Sequence, residues 1–319
     1  MDGRRVRRIH TTLDWPLSPP PRRSQINGMR IAIATCKAPP EPDPDEALLL
    51  DALRGSGLEA SVLAWDDADA QERLRAADLV VLRSTWNYYQ DVDAFLAWVT
   101  AIGGVTKLLN PPSIVRWNAE KSYLFDLEKR GVDIVPTERV RRGERRALAE
   151  ILDARRWDEV VIKPLVSAGS FRTERFSRAS LSAGQEFLDG LVLDRDAMVQ
   201  RWMPSVETYG ERSLVWIDGE ITHAIRKTPR FAGGVEQVSG AVPVADDERA
   251  FAMRAVEPFA SGPDRLLYAR IDMVRDADGV LRIMELELIE PSLFFQQSPA
   301  ALARFVAAIR RRLRKVDPS

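Results

Sequence analysis

At 319 residues and 45% apolar content, the chain can build one large hydrophobic core or two ordinary ones, since a domain commonly takes about 100–200 residues. Lysine plus arginine (46) nearly balance aspartate plus glutamate (47), which leaves no global field for nucleic acid or an anionic membrane. One cysteine, Cys36, and two histidines, His10 and His223, exclude a disulfide framework, a cysteine-rich zinc site and a histidine-cluster metal site. Chemistry must therefore run on carboxylates, lysines and arginines, and the sparing use of cysteine suits a reducing, cytoplasmic setting. No apolar run approaches the ~18 residues of a membrane span, and no apolar segment follows the first arginines as in a secretory leader.

Residues 1–28 hold Arg4, Arg5, Arg7, Arg8, Arg22, Arg23 and the run PLSPPP, and are expected to be a disordered tail or sequence upstream of the functional start. Apolar periodicity begins at Met29. MRIAIATC reads as a buried strand, and DEALLLDALRGSG as a helix ending in glycines. EASVLAW and DLVVLRS follow as strands separated by a short charged helix, and VDAFLAWVTAIGG as a further helix. This alternation predicts a parallel sheet with helices on its faces, an α/β domain over residues 29–115. The remainder, 116–319, reads as α+β. AEKSYLFDLEKRG is a predicted helix, DEVVIKP a strand, and SLVWIDGEITHAI a hairpin turning at Asp218-Gly219. LLYARIDMV and VLRIMELELI flank ADG as two more strands, and PAALARFVAAIRRRLRK closes the chain as a helix whose basic end suits its dipole without a partner.

Three constellations could carry chemistry. Strand alternation puts Glu285 and Glu287 on one face, and Asp272 on the preceding strand can lie across from them. Like charges about 4 Å apart repel by roughly 4 kcal/mol at an effective dielectric near 20. An all-oxygen set of three therefore calls for a cation such as Mg²⁺ or Mn²⁺, unless the strand face simply lies in solvent. Lys163 ends an apolar strand and is followed by VSAGS, small enough to bring backbone N–H groups against an anion. MVQRWMPSVE runs from a strand into a connector that could offer its backbone to a purine edge, or could simply pack Trp202.

Taken in order, these pieces resemble the ATP-grasp superfamily of ligases from about Trp117 to the C-terminus, with the preceding unit resembling that family's N-terminal α/β domain. NAEKSYLFDLEKRGVDIVPT is the most telling stretch. The resemblance implies two subdomains clasping ATP, the central or lid subdomain spanning about 120–200. It makes Lys121 and Lys163 the nucleotide-binding lysines, and Gln200, Arg201, Trp202 and Met203 the hinge under adenine. Glu207 becomes the ribose carboxylate, with Glu211 its rival. Ser167, Gly169 and Ser170 belong to a loop closing over the phosphates. Arg226 joins the lysines in offsetting the triphosphate. In YARID, Arg270 would stabilise the transferring phosphoryl group and Asp272 would bind Mg²⁺, with Glu285 as the bridging carboxylate. The chain departs from the pattern at Glu287, where relatives carry asparagine, and at IEPSLFF, which replaces the usual proline-glycine. A narrower resemblance, through LRSTWNYY, NPPSIVRWN, GERSLVWIDGEITHAIRKTP and ELELIEPSLFF, runs to the subgroup that includes the cyclo-ligase of D-cycloserine biosynthesis.

The resemblance implies an ATP- and Mg²⁺-dependent ligase that activates a small, amino-acid-like carboxylate as an acyl phosphate for attack by an amine. Homo-oligomerisation is common among relatives. Arg83, Ser84, Thr85 and Trp86, at the carboxyl end of a strand where open α/β sheets bind ligands, are the expected substrate contacts. Two rival readings are a nucleotide-binding sensor or scaffold without ligase activity, and a ligase acting on a protein terminus. Cys36 reads as a buried small hydrophobe and His223 as a structural hydrogen bonder.

Overall fold

The computed structural model describes residues 26–228, 237–262 and 265–314. β1 (Arg30–Thr35), α1 (Glu46–Gly55), β2 (Glu59–Ala64), α2 (Gln71–Arg75), β3 (Leu79–Leu82), α3 (Val92–Gly103) and β4 (Lys107–Leu109) alternate strand and helix. Their strands form a parallel sheet in the order β2-β1-β3-β4. β3 is buried along its whole length, as a strand covered on both faces must be. Asp91 starts α3 by accepting the Ala94 N–H at 3.0 Å. Gly103 ends that helix against the Pro112 ring, where an added Cβ would sit 2.3 Å away, so only glycine lets α4 (Pro112–Asn118) cross so closely.

The next sheet is antiparallel, in the order β5-β8-β6-β7. It comprises β5 (Thr137–Val140), β6 (Glu159–Pro164), β7 (Glu174–Ser177) and β8 (Ala197–Arg201), and it follows α5 (Tyr123–Lys129). α6 (Leu148–Arg155) and α7 (Leu181–Val192) cover one face through Leu148, Ile151, Leu188 and Leu191. The third sheet is also antiparallel, in the order β11-β10-β9-β12-β13, built from β9 (Glu211–Ile217), β10 (Glu220–Thr228), β11 (Gln237–Val238), β12 (Tyr268–Arg275) and β13 (Leu281–Glu287). α8 (Asp246–Val256) packs on it, and α9 (Pro299–Leu313) ends the described chain. The β9–β10 hairpin turns where expected, with Asp218 at φ 42° and Gly219 at φ 100°. Those left-handed values at both positions make the turn that matches strand twist.

Three expectations need correction. The tail of residues 1–28 lies outside the described residues except for 26–28, and there Ile26 is buried in the core shared by β1, α1 and α9. The helix read from AEKSYLFDLEKRG begins only at Tyr123. Residues 119–122 turn instead, so that the Lys121 N–H reaches the Leu165 carbonyl at 2.9 Å. The basic end of α9 does have a partner: Arg312 is buried and donates to Asp218 Oδ1 at 2.9 Å, and Arg311 pairs with the same carboxylate. α9 thereby locks onto the β9–β10 turn while its apolar face fills the core with α1.

β13 is an edge strand; on its outer side Ile283 pairs with the backbone of Asp133 and Val135, while from Leu286 onward the outer backbone groups and the segment beyond are paired largely by side chains. Asn118 accepts the Leu288 N–H at 2.9 Å and donates to the Leu286 carbonyl at 2.7 Å. Asn110 donates to the carbonyls of Leu288 (2.7 Å) and Tyr268 (2.9 Å) and accepts the Leu267 N–H at 2.7 Å. The Tyr268 hydroxyl lies 2.7 Å from the Ile289 carbonyl and 2.6 Å from that of Leu82. Trp86 Nε1 donates to the Glu290 carbonyl at 2.9 Å, and Arg83 Nη1 to that of Pro291 at 2.7 Å. Asp45 accepts the N–H groups of Leu293 (2.8 Å) and Phe295 (2.7 Å). Asn110→Ala leaves three buried backbone groups without their partner, and is expected to destabilise the protein by about 3 kcal/mol. The measurement is a lowered urea midpoint at unchanged slope.

Candidate active site

One face of the third sheet changes character along its strands. At one end Val215, Ile217 and Ile225 join the apolar core with α9. At the other, the register sets Lys227 opposite Glu211, Ser213 opposite Asp272, Asp272 opposite Glu285, and Arg270 opposite Glu287. Period-two alternation therefore gathers six ionisable side chains onto one patch of sheet. This patch floors a cavity of about 360 Å³. Lys163 and the hinge side chains Gln200, Arg201, Trp202 and Met203 line it from the second sheet, and Trp86, Tyr88 and Tyr89 from the first domain.

The lysines are held by other groups of the site. Lys121 donates to the Ser167 carbonyl at 2.7 Å and to its hydroxyl at 3.1 Å, and lies 3.8 Å from Glu285. Lys163 pairs with Glu285 at 2.6 Å. Lys227 bridges Glu211 at 2.5 Å and Asp272 at 2.9 Å. Arg270 grips Asp272 through Nη2 at 2.8 Å and also pairs with Glu287. The loop after β6 carries Gly169, Ser170 and Arg172 at φ 57°, 59° and 48°. It lays Phe171 against Tyr89 with ring centroids 4.6 Å apart, so it already touches the first domain.

Burial and charge act oppositely on these groups. Burial would push Glu285 up, but Lys121 and Lys163 outweigh it and hold its carboxyl at about 2. Asp272 is likewise held below the ordinary range, burial being overcome by Arg270 and Lys227. Glu287 rises to about 7, because burial and the nearby Asp272 prevail over Arg270. Desolvation and Arg270 disfavour charge on Lys227, yet Asp272 and Glu211 keep its pKa above the usual value.

Most of the expected nucleotide residues meet in this cavity: Lys121, Lys163, Ser167, Gly169, Ser170, Gln200, Arg201, Trp202 and Met203 all line it. Others do not. Arg226 is exposed on the opposite face of β10 and donates to the Thr208 carbonyl, while its neighbour Lys227 points inward. Glu207 is 62% exposed and pairs with Arg175 over the Trp202 ring, whereas Glu211 lines the cavity. Of the four expected substrate contacts only Trp86 lines the cavity. Arg83 is 1% exposed and spans Pro291 and Asp45, Ser84 bonds Thr35, and Thr85 is fully buried. Asp272, Glu285 and Glu287 share the floor, but among the described residues no three acidic, histidine or cysteine side chains converge as a metal cluster. Asp272 and Glu287 instead share Arg270, and Glu285 pairs with Lys163. Sequence reasoning missed Lys227, Glu290, Ser292, Tyr88, Tyr89 and Phe171. For Lys227 the signal was available in strand parity, since it shares a face with Ile225.

Comparisons with known proteins agree with this architecture. A family model described as the N-terminal domain of D-cycloserine synthetase DcsG matches residues 31–110. The cycloserine biosynthesis protein DcsG of Streptomyces lavendulae is 33% identical over 292 residues, 85% of this chain and 95% of that protein. The crystal structure of D-cycloserine synthetase DcsG superposes with a TM-score of 0.81 at 32% identity, covering 89% of this chain and 99% of that one. At the level of fold alone, the ATP-grasp ligase PsnB, solved with a phosphomimetic variant of a minimal precursor, Mg and ADP, matches with a TM-score of 0.60 at 16% identity, covering 89% and 99%. The parallel α/β unit before the two antiparallel sheets thus defines the ATP-grasp fold. Within that class the chain belongs to the DcsG family and is an ATP-dependent ligase. No described helix is long and apolar enough to cross a membrane.

The inward and outward neighbours on β10 separate a site role from a surface one. Lys227→Met is expected to weaken ATP binding by ~100-fold through loss of a buried charge-assisted contact. Arg226→Met, on the exposed face, should change it less than about 2-fold, as surface substitutions usually do. Calorimetric titration with ATP and Mg²⁺ checks both.

Proposed function

We propose that this ligase uses ATP to phosphorylate the carboxylate of a small amino-acid-like molecule, and that an amine then displaces the phosphate to give an amide or a ring. The observation that supports this best is the single cavity where four cations, Lys121, Lys163, Lys227 and Arg270, meet Asp272, Glu285 and Glu287 on adjoining strands. Phosphoryl transfer depends on positioning and charge neutralisation more than on a side-chain nucleophile. The lysines engage the phosphates, and Gln200 to Met203 hold the base. The substrate carboxylate oxygen attacks the γ-phosphorus and ADP leaves. Arg270 stabilises the charge on the acyl phosphate and on the tetrahedral adduct, and the amine loses a proton as inorganic phosphate departs. The loop from Ser167 to Phe171 covers the phosphates and keeps water from hydrolysing the activated acid.

Asp272, Glu285 and Glu287 fit Mg²⁺ by donor chemistry, since all offer carboxylate oxygen and no described histidine or cysteine lines the cavity beside them. Once the lysines turn to the phosphates, these carboxylates are freed from their internal partners. Mg²⁺ would there neutralise phosphate oxygens during transfer. Glu287 in place of asparagine brings one more negative charge to that set. The relative's role in cycloserine biosynthesis makes intramolecular ring closure of a D-serine derivative the first reaction to try. A sensor without catalysis is disfavoured, because it would have no use for Arg270 and three carboxylates gathered in one cavity.

The test is ADP release with ATP, Mg²⁺ and a panel of D-amino acids that includes O-ureido-D-serine. Wild type should release ADP with at least one acid, and Glu285→Gln should lower the rate by ~1000-fold or more while leaving thermal unfolding within a few degrees. Undiminished turnover in the variant would sink the assignment of Glu285.

A further inference from the structure

IEPSLFF departs from the wider ATP-grasp pattern, and it supplies Glu290 and Ser292 to the cavity wall beside Trp86, Tyr88 and Tyr89. Glu290 is rigidly placed: its carbonyl is fixed by Trp86 Nε1 at 2.9 Å and the next carbonyl by Arg83 at 2.7 Å. Its carboxylate has no described lysine, arginine or histidine within ion-pair distance. The cations nearest the floor are committed elsewhere, Lys163 to Glu285, Lys227 to Glu211 and Asp272, and Arg270 to Asp272 and Glu287. A half-buried carboxylate among aromatic rings and without a counter-ion is poorly solvated. Burial and the nearby Glu287 raise it to about 8 against the pull of Lys121 and Arg270.

The ionised form of Glu290 repels phosphate, and a cation placed beside it favours that form. Its oxygens accept N⁺–H bonds, and indole and phenol faces stabilise a positive charge placed against them. Arg270 donates to the Ser292 carbonyl at 3.4 Å, only two residues along from Glu290. An acid-binding guanidinium and an ammonium-binding carboxylate thus flank one short segment, as an amino acid requires. We propose that Glu290 is a specificity residue that receives the ammonium group of the substrate, and so selects amino acids over plain carboxylic acids. This rests on the ligase reading above and adds the substrate's charge pattern to it.

The test measures binding, so it does not depend on turnover. With Mg²⁺ and a non-hydrolysable ATP analogue bound, D-serine, D-alanine and O-ureido-D-serine are titrated against their counterparts lacking the amino group. Wild type should bind at least one amino acid ~30-fold or more tightly than its des-amino counterpart, the scale of a buried charged contact. Glu290→Gln should abolish that preference by weakening the amino acid alone, and Glu290→Asp, which keeps the charge, should restore part of it. ADP·Mg²⁺ affinity controls for folding. A preference that survives in Glu290→Gln, or no ammonium-dependent binding by any of the three acids, overturns the proposal. Failure of the ligase reading would show differently, as amino-acid binding without ADP release from ATP.

Discussion

The site depends on how the backbone of Leu286 to Phe295 is satisfied. Beyond Glu287 the chain leaves the sheet and runs through the seam between the domains, where unpaired N–H and C=O groups would be costly. The pairings come from a succession of side chains, Asn118, Asn110, Tyr268, Trp86, Arg83 and Asp45. Asp45 shows the trade involved. It stands at the N-cap of α1 yet makes no side-chain cap there, because both its oxygens serve Leu293 and Phe295. The strand carrying Glu285 and Glu287 is thus welded to the first domain, and the substrate wall cannot shift without breaking several buried bonds.

That welding explains why the motifs of the narrower resemblance occur together. LRSTWNYY, NPPSIVRWN and ELELIEPSLFF lie far apart in the chain but bond to one another. Arg83 and Trp86 come from the first, Asn110 and Asn118 from the second, and their acceptors from the third. Most of these residues act by positioning. Trp86 and Asn118 also line the cavity.

The charges on the sheet face follow a second logic. A buried patch of single charges would be untenable, so lysine and carboxylate pairs occupy it in the state described here. Lys163 and Lys227 sit on Glu285 and Asp272, groups that a polyphosphate and its metal would need separately. A ligand carrying both signs exchanges partners with these pairs instead of adding new charge to the interior. The cost of opening the site is therefore lower than the number of buried charges suggests.

By itself the sequence determined the alternation of strand and helix in the first domain, the Asp218-Gly219 hairpin, and the residue types at the nucleotide end. Those follow from local periodicity, turn stereochemistry and motif spacing. β5, β7, α6 and α7 were not singled out, since short or half-exposed segments such as ERFS carry little periodic signal. Strand parity groups Lys227 with Ile225, but tertiary structure alone decided that this face of β10 meets the cavity. The irregularity in β10 between Ile221 and His223 resets the alternation, so that Lys227 turns inward and Arg226 outward. It also decided that Arg83 is a buried tie and Glu290 an open carboxylate. Which polar groups are satisfied by protein, and which are left for a ligand, depends on contacts between residues some 200 positions apart, and no local pattern encodes that.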